Sequence, residues 1–180
     1  MKTKRVIVPF AEGFEEIEAF TIVDVLRRAG IAVDMVGLVG SIVTGSHGIR
    51  VTMDKKLNEV RAEDYDGIVL PGGNPGYLNL SRSSELLELI KKMNGQGKLI
   101  AAICAAPSVL AKAGVLEGKR ATIYPGMEKE IPYPRGERIV VDGNVVTSQG
   151  PGTAIEFALK LVDVLVGSDM AYSVKRSLVA

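Results

Sequence analysis

The only cysteine of the chain, Cys104, lies in the run Leu99-Ile-Ala-Ala-Ile-Cys-Ala-Ala-Pro107. The apolar residues before it are typical of a buried strand, and the residues after it favour a helix with Pro107 in its first turn. A side chain at such a strand-to-helix turn is presented outward, as in a nucleophile elbow, and a helix N-terminus lowers a thiol pKa. Cys104 is therefore a candidate nucleophile, and a buried structural cysteine is the alternative.

A second strand-ending turn carries two glycines, in Pro71-Gly72-Gly73-Asn74. In a parallel sheet this turn lies at the same edge as Cys104. The backbone N–H groups of Gly72 and Gly73 are then candidates for an oxyanion site. An ordinary turn at the end of a strand is the alternative, and by itself it is the commoner arrangement.

Three acidic residues follow the first predicted strand, namely Glu15, Glu16 and Glu18. Glu15 and Glu18 are three residues apart, which places them on one face of a helix. A carboxyl group beside a thiol can accept or donate a proton, but acidic residues in a first helical turn more often serve the helix dipole.

His47 is the only histidine and lies in the glycine-flanked loop Thr44-Gly-Ser-His-Gly48. It is therefore the only possible partner for a Cys–His pair, with a solvent-exposed loop residue as the alternative. One histidine and one cysteine do not form a zinc site of the usual composition.

The pattern of apolar runs predicts strands alternating with helices, hence a largely parallel sheet of the doubly wound class. Strands are predicted at residues 5–9, 31–39, 65–70, 98–103, 121–124, 138–141 and 144–148, and helices at 15–28, 84–93, 105–113 and 153–166, followed by a polar C-terminal helix. A hairpin is predicted within residues 40–53, and a capping box at Ser84 is expected to begin the 84–93 helix.

Composition excludes several classes of protein. There are 22 Lys and Arg residues against 21 Asp and Glu residues, so the formal net charge of +1 gives no electrostatic footprint for nucleic acid. No phosphate-binding glycine motif supports a nucleotide site. The longest apolar stretch, 99–116, is interrupted by Pro107 and Lys112, and no signal peptide is recognised. With a single cysteine, these features predict a soluble cytoplasmic protein with a reduced thiol.

Four blocks in order make the chain resemble the ThiJ/PfpI superfamily, in the branch that includes the Parkinson-disease protein DJ-1 and bacterial ThiJ-like proteins. The blocks are Ala11-Glu-Gly-Phe-Glu-Glu-Ile-Glu18, Leu70-Pro-Gly-Gly-Asn74, Leu99-Ile-Ala-Ala-Ile-Cys-Ala-Ala-Pro107 and Thr147-Ser-Gln-Gly-Pro-Gly-Thr153. The resemblance implies one ThiJ/PfpI-type domain over residues 1–180, with a flavodoxin-like three-layer sandwich, and usually a homodimer.

The resemblance also implies roles for single residues. Cys104 is expected to be the reactive cysteine, and Glu18 the protonated glutamate that hydrogen-bonds to its sulfur. The amides around Gly72, Gly73 and Ala105 are expected to form the anion pocket. No cofactor and no metal are implied.

Two positions depart from patterns of the family. Protease-like members have a histidine directly after the cysteine, where this chain has Ala105, so peptidase or amidase activity is the weakest of the functions considered. Other members have a histidine near the position of Tyr124, and an arginine near the position of His47. Tyr124 and His47 are therefore candidate hydrogen-bond donors at the pocket.

These residues predict a cysteine-dependent, cofactor-independent glyoxalase or deglycase that acts on 2-oxoaldehydes such as methylglyoxal, or on their protein adducts, in carbonyl and oxidative stress defence. Such chemistry requires a nucleophile, a proton shuttle and an oxyanion site. The alternative is a redox-sensing stress protein or chaperone with an oxidisable Cys104. The expected partners are a small carbonyl compound or a glycated protein, with no membrane and no specific nucleic acid.

Overall fold

The computed structural model describes residues 1–180 and contains eleven strands and six α-helices. The strands are β1 Arg5–Phe10, β2 Ala32–Gly37, β3 Ile42–Thr44, β4 Arg50–Thr52, β5 Lys55–Lys56, β6 Gly67–Leu70, β7 Leu99–Ile103, β8 Arg120–Ala121, β9 Tyr133–Pro134, β10 Ile139–Asp142 and β11 Val145–Ser148. The helices are α1 Glu16–Arg28, α2 Gly76–Ser81, α3 Ser84–Gly95, α4 Pro107–Lys112, α5 Ala154–Val166 and α6 Ser168–Ser177.

Seven strands form the central sheet, in the order β10-β11-β7-β6-β1-β2-β5. All neighbouring pairs in it are parallel except β10 and β11, which form an antiparallel hairpin. The strands β3 and β4 form a separate hairpin, as the sequence predicts for residues 40–53. The predicted doubly wound, flavodoxin-like α/β fold is confirmed.

Helices cover both faces of this sheet because its strands are apolar on both sides. On one face, α1, α5 and α6 pack through residues such as Ile22, Phe157 and Val174. On the other face, α2, α3 and α4 pack through residues such as Leu86 and Val109. The loops that follow β1, β6 and β7 therefore meet at one edge of the sheet, between the two helical layers.

Some local expectations differ from the structure. The side chain of Ser83, not Ser84, caps α3 by accepting a hydrogen bond from the Leu86 N–H at 3.2 Å. The strand predicted at 121–124 is only the two-residue β8, because the chain turns from it towards the Cys104 loop, where the Tyr124 N–H bonds the Cys104 carbonyl. The short helix α2 has no predicted counterpart, since its six residues give too little periodicity.

None of the helices combines the length and the apolar character that a membrane crossing requires.

Candidate active site

Cys104 occupies a strained turn between β7 and α4. Its φ angle is 65°, and only one other non-glycine residue, Val179, has a positive φ. Two backbone hydrogen bonds hold this conformation: the Cys104 N–H donates to the Ser148 carbonyl at 3.0 Å, and the Cys104 carbonyl accepts from the Tyr124 N–H at 2.8 Å. A left-handed conformation at a non-glycine residue costs free energy and persists where its surroundings enforce it. The Cys104 residue is partly exposed.

Small neighbours allow this turn to form. Ala102, Ala105 and Ala106 are buried around Cys104, so that the strand end and the helix start pack closely. The Ser108 hydroxyl donates to the Ala105 carbonyl at 2.6 Å and fixes the turn before α4 begins. The sequence prediction of an elbow at Cys104 therefore agrees with the backbone of the structure.

Glu18 is fully buried in the first turn of α1 and points at this elbow. Its Oε1 atom accepts the Gly72 N–H at 2.9 Å, and Gly72 lies between this carboxyl group and the Cys104 side chain. The other oxygen, Oε2, is buried and has no hydrogen-bond partner. A buried carboxylate oxygen without a donor is costly, whereas a protonated one becomes a donor itself. The surroundings of Glu18 therefore favour the carboxylic acid.

The two glycines after β6 serve different purposes. A Cβ on Gly72 would lie 2.7 Å from the Cys104 Cβ and 2.8 Å from the Glu18 Oε1, so only glycine fits between these side chains. Because the Gly72 amide donates to Glu18, it is not free for a substrate anion. In this structure the amide that the sequence assigned to the anion pocket is used by Glu18, whose carboxyl group it positions.

Two other amides face the sulfur. The backbone N–H groups of Ala105 and Gly73 lower the pKa of the Cys104 thiol, against the larger effects that raise it. Gly73 has φ 103°, and a Cβ there would collide with the Glu15 nitrogen. The positive ends of these two N–H dipoles stabilise negative charge on a thiolate or an oxyanion at this position.

Burial is the largest influence on the protonation of both acids. It raises the pKa of Glu18 to about 7, and the charge of Glu15 adds to this rise. Burial, then the charge of Glu18 and its hydrogen bond, raise the pKa of the Cys104 thiol to about 12, against the opposing effect of the Ala105 and Gly73 amides. The expectation of a thiol pKa lowered by a helix start is wrong, because α4 begins only at Pro107 and burial outweighs the amides. Glu18 and Cys104 are adjacent acids and therefore titrate as one unit. The first negative charge on this pair forms far more easily than the second.

Tyr124 lies beside the elbow. Its backbone N–H donates a hydrogen bond to the Cys104 carbonyl. Its ring lies against Gly150, since a Cβ added to Gly150 would be 3.5 Å from the ring carbon Cδ2. The residue is 47% exposed.

His47 lies at the tip of the β3–β4 hairpin, where its ring contacts the carboxylates at the start of α1. Its Nδ1 atom is 3.0 Å from the Glu16 Oε2 and 3.6 Å from the Glu15 Oε2. The ring hydrogen-bonds with neither Cys104 nor Glu18, so the structure does not form a Cys–His pair. The hydrogen bond to the Glu16 carboxylate, and then the charges of Glu15 and Glu16, raise the pKa of His47 above its usual range.

The three donor atoms of Glu15, Glu16 and His47 lie within 4.8 Å of one another. Hydrogen bonds already pair these groups, and we assign no metal site to them.

Glu16 is the residue at this site whose contacts the sequence did not indicate. It is almost fully buried and accepts hydrogen bonds from Ser46, His47 and Ile49, all in the β3–β4 hairpin. The sequence pattern assigned it to the helix dipole, because nothing in the spacing links α1 to a loop thirty residues further on.

As a whole, the site brings together a partly exposed sulfur, a buried carboxyl group and two amides. This arrangement can form a bond from sulfur to an electrophilic carbon, hold negative charge at two N–H groups, and move a proton at the Glu18 oxygen.

Comparison with known proteins agrees with the four sequence blocks. The DJ-1/PfpI family model matches residues 4–164. Protein dj-1beta of Drosophila melanogaster is 42% identical over 181 residues, which cover 98% of this chain and 97% of that protein. The Parkinson disease protein 7 homolog of Danio rerio is 42% identical, with coverage of 99% and 98%. The solved structure of oxidized Toxoplasma gondii DJ-1 superposes with a TM-score of 0.95 at 42% identity and covers 98% of each chain.

Proposed function

The chain belongs to the DJ-1/PfpI family, and on that premise we propose that it is a cysteine-dependent, cofactor-independent glyoxalase or deglycase. Its substrates are 2-oxoaldehydes such as methylglyoxal, or the adducts that they form on proteins. Family membership supports a stress-related function of the DJ-1 type. The single observation that carries the finer proposal is the buried Glu18 carboxyl group held against the sulfur of a strained, partly exposed cysteine.

In the proposed reaction, the Cys104 sulfur attacks the aldehyde carbon of methylglyoxal, and the thiol proton passes to the former carbonyl oxygen. This gives a hemithioacetal. The Glu18 carboxylate then removes the proton from that carbon and returns a proton to the neighbouring carbon, by way of an enediol. One carbon is oxidised and its neighbour reduced, so no external oxidant is needed.

The product of this transfer is a thioester of a 2-hydroxy acid on Cys104. Water cleaves its carbon–sulfur bond, which releases lactate and restores the thiol. The Gly73 and Ala105 amides stabilise the negative charge that develops beside the sulfur in these steps. Because the nucleophile must remain reduced, the proposal places the protein in the cytoplasm.

The test is formation of lactate from methylglyoxal in the absence of glutathione and of added metal. The wild-type protein should turn over, while Cys104→Ala should make no lactate above the uncatalysed rate. Cys104→Ser, which keeps the size and a hydroxyl group, should also be inactive because the serine hydroxyl is a much weaker nucleophile. Undiminished turnover in Cys104→Ala would exclude the mechanism.

A redox-responsive stress protein is the second candidate. It is favoured by the exposure of the sulfur beside two amides that can bind oxygen atoms added to it. A related solved protein, DJ-1 of Toxoplasma gondii, is described in an oxidized form. Mass spectrometry after mild peroxide treatment should find sulfenic or sulfinic acid at Cys104, and an unmodified Cys104 would rule this candidate out.

A further inference from the structure

The β3–β4 hairpin is anchored to α1 by one buried carboxylate. The Glu16 Oε1 accepts the His47 N–H at 2.8 Å and the Ile49 N–H at 3.4 Å. The Glu16 Oε2 pairs with the Ser46 hydroxyl at 3.3 Å and with the His47 Nδ1 at 3.0 Å. A Cβ on Gly45 would collide with the same carboxylate, so the hairpin backbone closes tightly over it. The buried Glu16 carboxylate therefore fixes the position of the His47 ring, although the ring itself is exposed.

This anchoring places the imidazole of His47 beside a second carboxylate, that of Glu15. The His47 Nδ1 is 3.6 Å from the Glu15 Oε2. Glu15 is the N-cap residue of α1, and its Oε1 accepts the Ile17 N–H at 3.2 Å. The Glu15 N–H also donates to the Gly72 carbonyl at 2.9 Å, and Gly72 separates Glu18 from Cys104. His47 thus contacts Glu15, and the backbone of Glu15 contacts the Gly72 turn beside Glu18 and Cys104. We refer to His47, Glu15, Glu18 and Cys104 as the row.

We propose that His47 is a positioning residue for the charge of the Cys104 site: its imidazolium offsets the Glu15 carboxylate, and this favours ionisation of the Glu18–Cys104 pair. The inference rests on the proposed role of that pair, and it does not depend on which carbonyl compound is the substrate. Because Glu16 holds the ring in place, the effect is built into the fold.

The charged neighbours of the row are few. His47 faces Glu15 and Glu16 from α1 and the neutral Ser46 from its own loop. Glu12 accepts the Thr44 N–H at the C-terminal end of β3, three residues before His47. Glu18 faces Cys104 and Glu15. Glu15 is therefore the carboxylate between the imidazole and the pair, and the raised pKa of Glu18 includes a contribution from its charge.

The sign of the effect follows from these contacts. With His47 protonated, the positive ring cancels part of the field of Glu15 at the pair, so the pair loses its first proton at a lower pH. With His47 neutral, the Glu15 charge is uncompensated, and a second negative charge nearby becomes more costly. The apparent pKa of the pair must then be higher.

The experiment measures the rate of Cys104 alkylation by iodoacetamide across pH, at constant ionic strength. The chain has one cysteine, so alkylation reports this site alone, and one histidine, so its imidazole NMR signal reports the His47 titration directly. His47→Gln removes the charge, and His47→Arg makes it permanent. Both changes are at an exposed side chain, and both keep the backbone N–H of residue 47 that donates to Glu16.

We expect the alkylation midpoint of His47→Gln to lie above that of His47→Arg by on the order of 0.5 pH, the scale of a partly screened charge across the site. In a Glu15→Gln background this difference should vanish, because Gln keeps the side-chain oxygen that caps Ile17 but not the charge. Glu88→Gln, at an exposed pair with Lys91 on α3, should leave the midpoint unchanged.

Equal midpoints for His47→Gln and His47→Arg would overturn the proposal. A difference that persists in the Glu15→Gln background would overturn it as well, because His47 would then act on the pair without Glu15. Since alkylation needs no substrate, a failure of the glyoxalase proposal leaves this test intact, and the two failures are distinguishable.

Discussion

Glu18 is the residue whose chemistry depends most on its surroundings. On the surface it would be an ordinary carboxylate, but the fold buries it between the Gly72 amide and the Cys104 sulfur. One oxygen is satisfied by the amide, while the other is left without a donor. The carboxyl group can therefore bind a proton close to neutral pH and exchange it with a molecule that is bound at the sulfur.

Burial of Glu18 predicts a specific pH dependence of stability. Folding raises the pKa of Glu18 from 4.5 to about 7, so the native protein binds this proton more tightly than the unfolded chain does. The resulting stabilisation is complete below pH 4.5 and is lost as the pH rises to about 7. The loss is on the order of 3 kcal/mol, since each pKa unit corresponds to about 1.4 kcal/mol.

Glu18→Gln removes this titration and keeps an oxygen for the Gly72 amide. Denaturant unfolding of both proteins should therefore show that the stability of the wild type, relative to Glu18→Gln, falls between pH 4.5 and pH 7. The comparison cancels the carboxylates shared by both proteins, such as Asp34, whose pKa is shifted downwards. A relative stability that does not change with pH would show that Glu18 is not buried as described.

At the scale of elements, the β3–β4 hairpin is tied to α1 mainly through one side chain. Four hydrogen bonds from the hairpin end on Glu16, which is 5% exposed. The hairpin in turn places His47 beside Glu15 and Glu16. The position of this histidine therefore depends on a contact between elements that are far apart in the chain.

Glu16→Ala should loosen the hairpin without unfolding the sheet. Removal of an acceptor shared by several donors should cost about 1 to 3 kcal/mol, because two backbone N–H groups lose their partner. Hydrogen exchange at His47 and Ile49 should accelerate, whereas exchange in β7 should change only with the global stability. The control is Glu88→Ala, an exposed residue of α3; equal effects from the two substitutions would contradict the anchoring role of Glu16.

The elements that could be predicted from the sequence are those with a strong local signal. The elbow at Cys104 follows from an apolar strand that ends next to a proline-initiated helix. Glu18 could be told apart from its acidic neighbours only by the family resemblance, because all of them fit the helix dipole equally well. Local residue spacing does not indicate tertiary contacts. It therefore could not predict the contacts between Glu16 and His47, or the hydrogen bond from the Gly72 amide to Glu18.

At the scale of the whole molecule, one face carries apolar side chains that the monomer leaves uncovered. Ile17 on α1 is 58% exposed and Ile155 on α5 is 45% exposed. Both line a groove between α1, α5 and α6 that also contains Tyr172. Contiguous exposed apolar groups of this kind mark protein interfaces. We propose that this face joins two copies of the chain as a homodimer.

Ile17→Lys together with Ile155→Lys should shift the protein from dimer to monomer, because two buried charges at the interface would have no partners. Sedimentation equilibrium over a range of concentrations gives the association state. Val141→Lys, on the edge strand β10 and 40% exposed, is the matched control and should remain dimeric. A wild-type monomer, or an unchanged dimer in the double variant, would contradict the proposal for this face.

The proposed function requires that Cys104 and Glu18 have separate tasks, one as nucleophile and the other as proton shuttle. The most direct measurement is lactate formation from methylglyoxal by Glu18→Gln, made alongside the alkylation rate of its Cys104. Loss of the shuttle should lower turnover by at least about 100-fold, while Cys104 remains open to alkylation. Wild-type rates of lactate formation in Glu18→Gln would contradict the account.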